Sequence, residues 1–170
     1  FGFPYLQMVP VIARDVLDAN AFWYGVLVSS AGLGSLVASL FIASKSIEKK
    51  HVIYSLGATL MLFAVLIFSL SNTYIISLSS LIVAGIGMSG FATMQPTIAL
   101  QAVDKDMQGR SMGAIALGIG AAPPGMWALG QLSEYVGPQN ALTVFAISGI
   151  IVITLLRFAL PELRDKKFSS

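Results

Sequence analysis

Residues 8–18 read MVPVIARDVLD, and residues 94–104 read MQPTIALQAVD. Laid over one another without gaps, at an offset of 86, they share Met8/Met94, Pro10/Pro96, Ile12/Ile98, Ala13/Ala99 and Asp18/Asp104. The register carries on: Gly32 and Gly34 fall on Gly118 and Gly120, and Glu48 falls on Glu134. Apolar matches arise easily in an apolar chain. A proline, an aspartate and a Gly-x-Gly in fixed order do not, and an internal repeat fixes architecture before any local reading does.

Around these motifs lie hydrophobic runs that suit lipid rather than a soluble core. Of 170 residues, 56% are hydrophobic and 11% charged, and the mean hydropathy is +0.82. Soluble domains carry about 25% charged residues. A membrane-crossing helix takes roughly 20 mostly apolar residues. Such runs occur at about 21–43, 52–70, 74–100, 111–131 and 140–160, with no Asp, Glu, Lys or His inside them and only Arg157 near the last end. The stretch 1–13 is apolar but short of the ~30 Å core. With Phe1 in place of a starting Met, it is expected to be a helix whose beginning is cut off.

Punctuation agrees with these bounds. Asn20 is placed to cap a helix starting at Ala21, and Asp106 or Gln108 one starting near 111. Ser71-Asn72 and Gly137-Pro138 separate hydrophobic runs, and Pro161 stops the last one.

Charge orients the chain. Segments 44–51, 101–110 and 161–170 hold Lys45, Lys49, Lys50, Lys105, Arg110, Arg164, Lys166 and Lys167; the alternate segments hold only Arg14. The positive-inside rule puts the first set and the C-terminus in the cytoplasm. Arg157 lies one turn inside that surface, within snorkelling reach.

The repeat unit contains three spans. An odd number turns the second copy over, so Pro10 is expected to end its helix outside and Pro96 to end its helix inside. The chain resembles the C-terminal half, helices seven to twelve, of a major facilitator superfamily transporter. The resemblance rests on YGVLVSSAGLGSLVASL at 24–40 and VDKDMQGRSMGAIALGIG at 103–120. The Asp104-to-Arg110 run is similar to the loop between helices ten and eleven of the bacterial enterobactin-exporter-like efflux branch. The chain departs from the family after the second span: an Asp-Arg-x-Gly-Arg loop is usual, and SKSIEKK at 44–50 keeps only its basic charge.

The resemblance implies an all-α transmembrane bundle with two inverted three-helix repeats. It also implies a missing N-terminal six-helix half as partner, and secondary transport of a small molecule, more in the direction of efflux, by alternating access. The inner membrane is the expected location and a proton the possible coupling ion.

Glycine content suggests which spans line the path. Runs 21–43, 74–100 and 111–131 are glycine-rich, whereas 52–70 and 140–160 hold only Gly57 and Gly149. Small residues let helices approach closely, so the first three are expected in a central layer and the other two at the lipid. Path candidates are Gln7, Ser29, Thr93, Gln95, Thr97 and Trp127. Ser29 shares a face with Gly25, Gly32 and Ser39; Thr93 and Thr97 share one with Ser89 and Gln101. The plainer reading of each hydroxyl is packing and bonding to its own helix. Pro96 and the Pro123-Pro124-Gly125 run are expected to bend helices. Asp104, Asp106 and Arg110 are candidates for a cytoplasmic ionic gate. Any coupling carboxylate is expected in the missing half, because Asp15, Asp18 and Glu134 sit at one boundary and Asp104, Asp106 and Glu48 at the other.

Other classes fit less well. An enzyme needs convergent acid, base or thiol groups, and the chain has one histidine, His51, and no cysteine. No cofactor, metal or nucleic acid is implied. A non-transporting membrane scaffold is the alternative.

Overall fold

The computed structural model describes residues 4–44 and 50–159, with side chains to Leu156. The basic residues of 45–49 and 161–167, Glu48, Pro161 and the Arg157 side chain lie outside the described residues. Seven helices follow one another: α1 (Tyr5–Asp15), α2 (Ala21–Ser44), α3 (Lys50–Leu70), α4 (Tyr74–Gln101), α5 (Gln108–Gly120), α6 (Ala122–Val136) and α7 (Pro138–Ala159), with a single 3₁₀ turn at Lys105–Met107. Five stretches are long and apolar enough to cross a membrane, counting 105–136 as one.

Local chemistry sets the ends. Asn20 caps α2, its Oδ1 accepting from the Trp23 N–H at 3.1 Å. Gly137 turns the chain at φ 86° and Pro138 opens α7, where its missing N–H would have had no helical partner anyway. The chain leaves α1 through Asp18 at φ 47°, a left-handed conformation that Asp tolerates better than most residues. α5 begins at Gln108. Neither Asp106 nor Gln108 caps it. Gln108 Nε2 donates to the Leu100 carbonyl at 3.3 Å and Ser111 Oγ to that of Ala99 at 3.2 Å, so both side chains finish α4 instead.

The prolines correct the sequence expectation. α1 continues five residues past Pro10, and α4 five residues past Pro96. Each ring removes one N–H, at the cost of one carbonyl bond four residues back. The ladder resumes beyond it, as the bond from Ala102 N–H to Ile98 O shows.

α3 packs on α4 and α7, and α2 packs on α4 rather than on its chain neighbour α3. The two tightest joints are backbone to backbone. A Cβ on Gly85 would strike the Ala31 carbonyl, one on Gly34 that of Ile82, and one on Gly87 would sit 2.6 Å from the Gly57 oxygen. In lipid, association relies on such close van der Waals contact rather than on expulsion of water. Tyr5, Val9 and Ile12 of α1, Leu27, Phe68, Leu81, Leu129 and Leu142 fill the shared core.

Glycine count and the closest joints between the described helices differ. α3, with one glycine, is locked onto α4, while Gly113, Gly118 and Gly120 of α5 meet nothing within 4 Å of a would-be Cβ. The outward rows Leu56, Leu60, Phe63 and Ile67 of α3 and Ile147, Ile151 and Leu155 of α7 are aliphatic or aromatic. Between α3 and α4 lies an apolar groove of about 320 Å³, lined by residues including Leu60, Ile67, Ile75 and Val83.

Hydroxyl and amide contacts bind α7. Ser69 and Thr143 hydroxyls lie 2.9 Å apart. Gln139 Nε2 donates to Ser71 O at 3.2 Å and Asn72 Oδ1 at 3.0 Å. At the same boundary the Tyr74 hydroxyl donates to Trp23 O at 2.9 Å, and the two rings meet edge to face.

Candidate functional site

The α5–α6 rod is interrupted at Ala121, which has φ −81° and ψ 0°. Pro123 and Pro124 explain the break. Neither has an N–H, so the carbonyls of Ile119 and Gly120 lose the donors an unbroken helix would supply. The Ala121 N–H is shared among Leu117 O at 3.1 Å, Gly118 O at 3.3 Å and Ile119 O, a tightened last turn. With 13 residues before it and 15 after, Ala121 lies about 20 Å from either end at 1.5 Å per residue.

The rest of the chain hardly covers this rod. No residue of α5 is buried, and of α6 only Leu129 is. Leu117 is 78% exposed and Trp127 71%. α1 approaches from one side: Gln7 Nε2 donates to the Met126 sulfur at 3.1 Å, and Pro4 lies 3.7 Å from a would-be Cβ on Gly125. The structure therefore brings Gln7 to the Pro124–Trp127 segment.

The other candidates lie apart from it. Ser29 is exposed on α2, in a shallow cleft of about 480 Å³ with Ala21, Phe22, Gly25 and Val26. Thr97 Oγ1 is bonded to Thr93 O in its own helix at 2.9 Å, which is the packing use of a hydroxyl. Gln95 is half-buried. Ser89 on the same helix is 4% exposed, and its hydroxyl has no hydrogen-bond partner among the described residues.

Asp104, Asp106 and Arg110 are all exposed, but no ion pair joins them among the described residues. The Arg110 guanidinium is directed to the Met107 sulfur at 4.0 Å. The pair that forms is Arg14–Asp15, at 2.6 Å on the opposite boundary. The hydrogen bond from Arg14 holds the Asp15 carboxyl below its usual range and raises Arg14 in turn. Sequence reasoning missed the bond from Lys50 Nζ to Gln101 Oε1 at 2.9 Å, which ties the start of α3 to the end of α4. No spacing rule joins residues 51 positions apart. Among the described residues no cluster of His, Asp or Glu has the makings of a metal site.

These features define a polytopic membrane protein of packed apolar helices, one of them broken at mid-depth. The chain belongs to the major facilitator superfamily, whose model matches residues 3–170. It is accordingly a multi-pass membrane transport protein for small molecules, in contact with the bilayer. Comparison with curated proteins and with solved structures returned no match.

Proposed function

We propose that this chain is the C-terminal half of a secondary transporter that moves a small solute, in the efflux direction, by alternating access. The carrying observation is the interruption at Ala121. In hydrocarbon an unpaired backbone group costs several kcal/mol, so irregular backbone at membrane depth belongs against protein or beside water. The chain's own helices leave Ala121, Gly118 and Gly120 open. A partner half across an aqueous path satisfies that requirement. Gln7 and Trp127 border the same path.

The repeat supports this reading. At the offset of 86, α1 (5–15) falls on 91–101 within α4, α2 (21–44) on 107–130, nearly all of it α5 and α6, and α3 (50–70) on 136–156, nearly all of it α7. Each helix of the first unit thus has a counterpart, as an inverted three-helix repeat requires. The basic segments support a cytoplasmic C-terminus, and the resemblance supports an inner-membrane location.

The test is solute exchange by the full-length protein in proteoliposomes under an imposed proton gradient. Gradient-driven flux supports the assignment, and its loss on neutralising a carboxylate outside this half places coupling there. Facilitated leak without any gradient dependence, or no flux, removes it.

A further inference from the structure

We infer that the path at the Ala121 break recognises a solute group that donates hydrogen bonds and carries no negative charge, a primary ammonium being the simplest; this rests on the transport reading above. A broken helix ordinarily offers two kinds of backbone pole: acceptors from the half that ends and donors from the half that begins. Here the two are unequal. α5 ends with the carbonyls of Ile119 and Gly120 deprived of their i+4 helical donors, and Ile119 O keeps only a share of the Ala121 N–H. α6 begins Ala122-Pro123-Pro124, and two of its first three residues have no N–H to offer. The break therefore carries more acceptor than donor capacity, the reverse of an anion-binding helix start.

The side chains nearby tilt the same way. Gln7 spends one of its two amide N–H groups on the Met126 thioether, which leaves the two lone pairs of Oε1 against one remaining N–H. Trp127, 71% exposed two residues beyond Gly125, offers an aromatic face of the kind that attracts cations. No lysine or histidine lies within the apolar runs 21–43, 52–70, 74–100, 111–131 and 140–160, and Arg157 is near the far end of the last. Nothing at this depth balances a carboxylate or phosphate. An ammonium supplies three donors and no acceptor.

The experiment uses the full-length protein in nanodiscs and three probes on one ring: phenethylammonium, its N,N,N-trimethyl derivative and phenylacetate. Phenethylammonium should bind at least about tenfold more tightly than either of the others, the equivalent of one charge-assisted hydrogen bond. Pro123→Ala with Pro124→Ala returns both N–H groups to Ile119 and Gly120 and should abolish that preference. Gln7→Met, which keeps the α1 contact apolar, should lower it partially and guards against a fold defect in the double variant. Equal or better binding of phenylacetate, a trimethyl derivative as good as the parent, binding by none of the probes, or a preference that survives both variants overturns the inference. Gradient-driven exchange in the same preparation separates the two readings. If it persists while phenylacetate is preferred, the donor rule fails and the transport reading stands.

Discussion

A Cβ on Gly57 would lie 2.7 Å from the Gly87 carbonyl oxygen, so α3 and α4 touch through bare backbone. Nothing at that joint is a side-chain tip able to move aside. Gly57→Ala should therefore lower stability by about 1–3 kcal/mol, the usual cost of overpacking. Gly109→Ala, at a position with open space, should be neutral or slightly stabilising through helix propensity. Thermal unfolding of the two purified variants in one detergent checks the contrast; equal melting temperatures would show that the joint is not closed.

Gln139 fastens α7 to the turn between α3 and α4 by its contacts with Ser71 and Asn72. Gln139→Ala should cost roughly 1 kcal/mol. Faster amide exchange should appear at 71–73 and at the start of α7, leaving the α2–α4 joint unchanged. Uniform acceleration across all helices would show the bond to be global rather than local.

The depressed Asp15 carboxyl gives a pH prediction. Its folded value lies below the ordinary one because of Arg14, so the interaction is present above the ordinary carboxylate range and is lost as pH falls through the lowered value. Both groups are exposed. The expected signal is therefore a titration rather than a stability change: Arg14→Ala should move the Asp15 midpoint upward, read by carboxyl NMR shift. An unmoved midpoint would dissolve the pair.

The absence of cysteine makes orientation directly measurable. Asn72→Cys should react with a membrane-impermeant maleimide in intact cells. Lys105→Cys should react only after permeabilisation. The opposite pattern would invert the topology.

The apolar runs revealed the spans because length and composition alone decide them, to within a few residues for α2, α3 and α4. Joints were less legible. Gly57 and Gly87 are 30 positions apart, and only assembly shows that they meet, whereas the more conspicuous glycines of α5 meet nothing. The repeat misleads locally: Asp18 has φ 47° and its counterpart Asp104 φ −62°, because a tight reversal follows α1 and a 3₁₀ turn follows α4. Pro10 and Pro96 were expected to end helices, yet one missing N–H is too small a loss to stop a ladder that resumes beyond it. Two consecutive prolines do interrupt α5–α6. For Arg110, charge and spacing offered a latch with Asp104 or Asp106 that side-chain geometry does not form.

The pairing of α2 with α4 carries a consequence for biosynthesis. The two run in the same direction and are held together at Gly34–Ile82, Ala31–Gly85 and Trp23–Tyr74, so neither can be delivered as half of a hairpin with the other. When residues 21–44 leave the ribosome their docking surface has not yet been synthesised. α2 must wait for its main partner until α4 has been threaded in, whereas α3 and α4 can join as a hairpin as soon as both are made. A chain stopped before Tyr74 would lack the α4 surface on which most of α2 packs.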